Sequence, residues 1–105
     1  MNNTIHQIIA EQIQSHPIVL YMKGSADQPQ CGYSAQVIQI LTFYQVNYKT
    51  FNVLENDALR AGIKSFTQWP TIPQLYIKGE FIGGCDIITQ LHDENKLMSI
   101  LDENQ

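Results

Sequence analysis

The sequence contains little cysteine and little positive charge. Only two of its 105 residues are cysteines, Cys31 and Cys85, which is too few for the disulfide framework of a small secreted domain. Ten acidic residues against six basic ones give a net charge of -4. This balance argues against nucleic-acid binding, because such an interface needs a basic face. We therefore expect a reducing, cytoplasmic location and no nucleic-acid partner.

Long apolar segments are also missing. No run approaches the roughly 18 residues needed to span a bilayer, so no membrane association is expected. Residues 1–16 contain no lysine or arginine, which argues against a secretory signal or a transit peptide. A hydrophobic content of 44% predicts a folded chain. The length suits one domain, which we place at residues 1–105.

Hydrophobic spacing and turn residues predict the element order α-β-α-β-α-β-β-α. Thr4 and Gln7 form a capping-box pattern ahead of a helix over residues 4–15. The order indicates an α/β fold with helices on both faces of a mixed sheet. A second predicted helix follows Cys31, a third includes Leu59, Ile63 and Phe66, and a last one begins near Ile87 and continues at 97–101. The predicted strands are Ile18–Met22, Tyr48–Val53, Gln74–Ile77 and Glu80–Ile82.

Cys31 follows a predicted strand and loop and precedes a predicted helix. Free N–H groups and the dipole at a helix N-terminus favour an anion, and such positions lower thiol pKa values. The alternative is a buried structural cysteine, although the small neighbours Gly32 and Ser34 favour an accessible sulfur. Ser34 stands where a second cysteine would complete a C-x-x-C pair. A local two-thiol cycle is therefore excluded.

Three further segments are candidates for ligand contact. Residues 69–73 read Trp-Pro-Thr-Ile-Pro, and Pro73 is either a cis-proline in a tight turn or part of an ordinary bend. The segment Gly83–Asp86 offers backbone N–H groups to a carboxylate, while Asp86 is equally explained as a helix cap. Lys23 and Arg60, taken alone, are typical of solvated surface charges.

Four motifs in register resemble those of the monothiol glutaredoxins. They are Tyr-Met-Lys-Gly at 21–24, Cys-Gly-Tyr-Ser at 31–34, Trp-Pro-Thr-Ile-Pro-Gln at 69–74 and Gly-Gly-Cys-Asp at 83–86. The resemblance extends from about Ile5 to about Leu101 and implies a thioredoxin fold with a four-stranded mixed sheet and a cis bond before Pro73. The family usually has Phe where this chain has Tyr33, so an aromatic ring is retained and a hydroxyl is added.

The resemblance implies a glutathione site. Lys23 and Arg60 resemble the cations that hold the glycine carboxylate of glutathione. Ile72 resembles the residue whose backbone pairs with the tripeptide as an added strand. Cys85 and Asp86 resemble the residues that receive its γ-glutamyl end.

Three functions follow as hypotheses, and all use Cys31 as the working thiol. The resemblance favours a carrier in which two chains, each supplying Cys31, and two glutathiones bind a [2Fe–2S] cluster, since such a cluster typically has four ligands. The loop at 24–30 resembles the insertion of this carrier class, whose members pair with BolA-like proteins and serve iron–sulfur recipients. The second hypothesis is a glutathione-dependent oxidoreductase that acts on mixed disulfides. The third is a redox sensor with a Cys31–Cys85 disulfide.

Overall fold

The computed structural model describes residues 4–102 and contains a four-stranded sheet with helices on both of its faces. The predicted element order and mixed sheet are confirmed, whereas the single domain predicted over 1–105 includes chain ends outside the described residues. The elements are α1 (Ile5–Gln14), β1 (Ile18–Met22), α2 (Gly32–Tyr44), β2 (Lys49–Asn52), a 3-10 turn (Val53–Glu55), α3 (Asp57–Thr67), β3 (Gln74–Ile77), β4 (Glu80–Gly83), α4 (Cys85–Asp93) and α5 (Leu97–Asp102).

The strands lie in the order β2-β1-β3-β4. Strand β1 pairs in parallel with β2 and antiparallel with β3, which pairs antiparallel with β4. Lys78 and Gly79 connect β3 to β4 with φ angles of 50° and 79°, and positive φ at both central residues suits a two-residue hairpin turn. The predicted hairpin is confirmed.

The central strand β1 is fully buried, and its side chains divide between two cores. Ile18, Leu20 and Met22 pack with α2, α4 and α5 on one face of the sheet. Val19 and Tyr21 pack with α1 and α3 on the other. Successive strand residues point to opposite faces, so a strand covered on both sides must be apolar at every position.

Side-chain caps determine where several elements begin. The capping box is present, with the Thr4 hydroxyl accepting from the Gln7 N–H and the Gln7 side chain accepting from the Thr4 N–H. Strand β2 ends one residue earlier than predicted, because the Asn52 side chain accepts a hydrogen bond from the Leu54 N–H and starts the 3-10 turn. This turn leads directly into α3.

Candidate functional site

Cys31 is the N-cap residue of α2, so its side chain stands at the N-terminal end of that helix. The loop before it is closed by a hydrogen bond from the Gln30 N–H to the Lys23 carbonyl at 2.9 Å and by a bridge between Gly24 and Pro29. The thiol is free and partly exposed. The chain thus presents the sulfur at the position that the sequence predicts.

The pKa of the Cys31 thiol lies below its ordinary value. The largest cause is the backbone N–H of Ser34; the Tyr33 N–H, the Lys23 charge and the Ser34 hydroxyl act in the same direction, while burial opposes them. The neutral Cys31 side chain makes no capping hydrogen bond in the structure, and the neighbouring N–H and hydroxyl donors favour the thiolate, which accepts hydrogen bonds more strongly than the thiol. Ser34 is fully buried, and its Oγ accepts a hydrogen bond from the Lys23 N–H at 3.1 Å.

Cys85 is the first residue of α4, and its pKa is raised. Burial is the largest cause, and the charges of Asp86 and Cys31 add to it, while the Thr89 hydroxyl, 3.9 Å from Sγ, acts in the opposite direction. Only 9% of Cys85 is exposed. Because the Cys31 charge raises the Cys85 pKa, ionisation of Cys31 disfavours ionisation of Cys85, and Cys85 remains the neutral thiol.

The segment from Trp69 to Pro73 is held in place by one buried amide. Gln74 is fully buried and donates hydrogen bonds to the carbonyls of Trp69, at 3.2 Å, and Thr71, at 3.1 Å. The Tyr76 hydroxyl donates to its Oε1 at 3.2 Å. The bond between Ile72 and Pro73 is cis, as the resemblance implies.

A cavity of about 460 Å³ lies between these segments. Gly84 packs closely against two other residues of the cavity, since a Cβ at this position would stand 3.2 Å from both the Trp69 Nε1 and the Pro73 carbonyl oxygen. The residues that line the cavity come from the end of β1, the start of α2, α3, the cis-proline turn and the start of α4: Lys23, Cys31, Tyr33, Lys64, Trp69, Pro70, Thr71, Ile72, Pro73, Gly84, Cys85, Asp86 and Ile87.

Comparison with known proteins identifies the family of this arrangement. The glutaredoxin family model matches residues 18–82. A mitochondrial monothiol glutaredoxin-5 of Schizosaccharomyces pombe is 47% identical over 98% of this chain, which spans 73% of that protein. The chain belongs to the monothiol glutaredoxin family. A chloroplastic monothiol glutaredoxin of Oryza sativa, S7, is 46% identical over 98% of the chain, which spans 59% of that protein.

Solved glutaredoxins share the architecture, so the predicted thioredoxin fold is confirmed. The crystal structure of the holo form of glutaredoxin C1 from Populus tremula × tremuloides matches with a TM-score of 0.86 and 30% identity, over 96% of this chain and 98% of that one. A buckwheat glutaredoxin–glutathione complex matches with a TM-score of 0.83 and 28% identity, over 94% and 88% of the two chains.

The predicted cytoplasmic location of this glutaredoxin is wrong. The relatives from S. pombe and O. sativa are mitochondrial and chloroplastic proteins. The prediction depended on the cysteine count and on a basic-residue-poor N-terminal stretch. Both features describe the folded domain and do not identify its compartment, because a reducing environment is not peculiar to the cytoplasm.

The cavity contains five of the six residues predicted for the glutaredoxin site, and Arg60 is not among its lining residues. Lys64 lies one turn further along α3 and does line it. Trp69 and Thr71 belong to the candidate segment 69–73, whereas Lys64 was not predicted from the sequence. For Lys64 a signal was available, since residues four apart share one face of a helix and Arg60 was already a candidate.

Within residues 4–102, Lys23, Arg60 and Lys64 form no ion pair with an acidic side chain. The same part of the chain holds no group of three or more His, Cys, Asp or Glu side chains arranged to bind a metal ion. None of its helices has both the length and the apolar character of a membrane span.

Proposed function

We propose that this monothiol glutaredoxin binds glutathione in the cavity beside Cys31 and, with it, carries a [2Fe–2S] cluster between two copies of the chain. The observation that carries the proposal is the combination of one activated thiol with a buried serine in the position of a second cysteine. Cys31 has a lowered pKa and an open cavity beside it, while Ser34 at the third position of α2 has no thiol to offer.

The chemistry of the cavity suits glutathione, which has two carboxylates, one ammonium and one thiol. Lys23 and Lys64 line the cavity without an acidic partner among the described residues and provide cations for a carboxylate. Arg60 remains a predicted contributor from the same helix. At the other end, the first residues of α4 include Cys85 and Asp86, where backbone N–H groups accommodate a second carboxylate and the Asp86 side chain an ammonium.

The backbone of Ile72, beside the cis bond, provides the edge along which the tripeptide extends as a short strand. The buckwheat glutaredoxin of the same fold was solved in complex with glutathione. This supports a glutathione that lies across the cavity with its thiol near Cys31.

The ligand count supports a shared cluster. A [2Fe–2S] cluster typically takes four thiolates, and one chain of this protein has a single activated thiol, because the pKa of Cys85 is raised. Two Cys31 thiolates and two glutathione thiolates complete the set, so the loaded form is a homodimer. Its roles are in iron–sulfur cluster assembly and redox homeostasis, and a heterodimer with a BolA-like protein remains a prediction.

A second function, glutathione-dependent disulfide reduction, is favoured by the accessibility of the thiol. The Cys31 thiolate attacks the glutathione sulfur of a mixed disulfide, a Cys31–glutathione disulfide forms, and the protein thiolate leaves and takes up a proton. A second glutathione thiolate then attacks this disulfide, which releases oxidised glutathione and regenerates the Cys31 thiolate. Without a resolving thiol at position 34, every turnover needs a second glutathione from solution to attack the Cys31–glutathione disulfide, so we expect the turnover to be slow.

Anaerobic reconstitution with iron, sulfide and glutathione tests the proposal. We expect visible absorption typical of a [2Fe–2S] centre, about one iron per chain, and a dimer on size-exclusion chromatography that becomes a monomer when the iron is chelated. Brisk turnover of a glutathionylated peptide with no iron bound after reconstitution would instead establish the oxidoreductase function.

A further inference from the structure

One side-chain oxygen connects two segments that approach the glutathione cavity from different parts of the chain. The Oδ1 of Asn52 accepts a hydrogen bond from the Gly24 N–H at 2.9 Å and another from the Leu54 N–H at 3.0 Å. Asn52 is half-buried at the end of β2, opposite Met22 of β1. It is not among the residues that line the cavity, so any effect it has there acts through the segments that it holds.

The first segment that Asn52 holds carries Lys23. Gly24, next to Lys23, is buried with a φ of +95°, and a Cβ there would stand 2.5 Å from the Gln28 carbonyl oxygen. Residues that carry a side chain rarely adopt this backbone conformation, so glycine is required at this position. The Lys23 N–H donates to the Ser34 Oγ and the Lys23 carbonyl accepts from Gln30. With the Asn52 bond added, the peptide groups on both sides of Lys23 are hydrogen-bonded.

The second segment carries the cation from α3. Asn52 is the N-cap of the 3-10 turn Val53–Glu55, and α3 begins two residues after that turn, at Asp57. Lys64 projects from α3 into the cavity. Lys23 and Lys64 are therefore carried by two separate segments of the chain. Each segment contains a peptide N–H that donates to the same Asn52 oxygen.

We propose that Asn52 is a positioning residue, which sets the spacing between Lys23 and Lys64 and thereby the fit of the cavity to its anionic ligand. That this ligand is glutathione rests on the proposed function. The hydrogen bond from Gly24 keeps Lys23 near Cys31, and the Lys23 charge favours the Cys31 thiolate. The hydrogen bond from Leu54 fixes the start of the segment that leads into α3.

The chain offers a matched pair of substitutions to test this. Asn52→Ser retains an N-cap oxygen for Leu54, since serine caps as well as asparagine, but this oxygen is one bond nearer the backbone and does not also reach Gly24. Asn56→Ser is the control, because Asn56 caps α3 with a single bond to the Leu59 N–H at 3.0 Å. Thermal unfolding verifies that both variants are folded.

Two measurements report on the site. Calorimetric titration with reduced glutathione should show an affinity about three- to ten-fold weaker for Asn52→Ser, the range produced by loss of one hydrogen bond, and within about two-fold of the native protein for Asn56→Ser. The pH dependence of Cys31 alkylation by iodoacetamide, followed by mass spectrometry without glutathione, should move to higher pH for Asn52→Ser only.

Equal behaviour of the two variants in both measurements would overturn the proposal, as would an Asn52→Ser protein that matches the native one in both. If the native protein does not bind glutathione, the proposed function fails, and the alkylation profile alone then decides the role of Asn52.

Discussion

The two cysteines of this glutaredoxin stand at the starts of two helices and border the same cavity, yet their acidities move in opposite directions. Cys31 is the N-cap of α2, while Cys85 occupies the first helical position of α4, whose N-cap is Gly84. The pKa of Cys31 is lowered, chiefly by the Ser34 N–H. That of Cys85 is raised, chiefly by burial.

A helix N-terminus therefore does not by itself activate a thiol. An N-cap side chain faces the free N–H groups of the second and third helical residues, here Tyr33 and Ser34. A side chain at the first helical position lacks this orientation, and at Cys85 the cost of burying a charge is larger than any benefit from the helix dipole. Position relative to the cap thus separates the working thiol from the neutral one.

The largest expected effect comes from removing each sulfur in turn. Cys31→Ser should lose cluster binding and cluster-dependent dimerisation completely, because no other thiolate of the chain replaces it. Cys85→Ser should still assemble a cluster, since its neutral thiol is not a ligand. Iron content and size-exclusion profiles after anaerobic reconstitution measure both. Absence of iron in Cys85→Ser would show that the ligand count is wrong.

Introducing a second thiol into α2 should produce the next largest effect. Ser34→Cys places a resolving thiol beside Cys31, so we expect disulfide exchange on a glutathionylated peptide to rise on the order of ten-fold. The native Ser34 accepts a hydrogen bond from the Lys23 N–H, and sulfur is a weaker acceptor, so stability should fall by about 1 kcal/mol. Ser34→Ala is the control: its turnover should not rise, and a rise would exclude the resolving-thiol explanation.

The opposite pKa shifts predict a difference in alkylation at neutral pH. Iodoacetamide should modify Cys31 several-fold faster than Cys85 at pH 7, since the thiolate is the reactive form. Cys31 should reach its half-maximal rate below the pH found for free cysteine, and Cys85 above it. Mass spectrometry of the two cysteine-containing peptides measures both rates, and equal rates would remove the distinction between the two helix starts.

The same shifts determine how each cysteine affects stability with pH. The folded-state pKa of Cys31 lies below its unfolded value, so its contribution is present above the unfolded pKa and is lost as pH falls through the folded one. Cys85 has a raised pKa, so its contribution is present below the unfolded pKa and is lost as pH rises through the folded one. The free energy of unfolding, measured across the pH range in which thiols titrate, should show this. Relative to the native protein, Cys31→Ser should become less stable as pH rises, and Cys85→Ser should become more stable.

The smallest expected effect concerns the cations. Lys64→Ala should weaken glutathione binding about two- to five-fold, the range of an exposed charge pair, and more than Arg60→Ala, because Lys64 lines the cavity and Arg60 does not. Lys49→Ala, whose lysine lies over Phe51 on β2, is the control for net charge. Titration at two salt concentrations measures the difference, and a larger loss for Arg60→Ala would reverse the assignment.

The sequence predicted the features that depend on local chemistry. Thr4 and Gln7 determine where α1 begins, and Lys78 with Gly79 determines the hairpin, because the responsible groups are a few residues apart. Cys31 at a helix start was likewise predictable from a strand, a loop and a helix in succession. The motifs then supplied what local chemistry does not, including the cis bond before Pro73.

Features that depend on packing were not predictable. The spacing of Arg60 and Lys64 places both on one face of α3, but only the way that helix packs selects Lys64 as the residue that reaches the cavity. Burial of Cys85, which raises its pKa, results from contacts with residues distant in sequence. The double role of the Asn52 oxygen joins Gly24 and Leu54, which are 30 positions apart.

Trp69 gives this protein an optical reporter. It is the only tryptophan of the chain, it lines the cavity, and its indole N–H is buried with no hydrogen-bond partner among the described residues. Fluorescence excited selectively at tryptophan therefore originates beside the cis-proline turn and Gly84. Its emission should report on filling of the cavity without any label, and the proposed cluster, if bound there, should quench it. The proposed loading and release can thus be tested in real time on the unmodified chain.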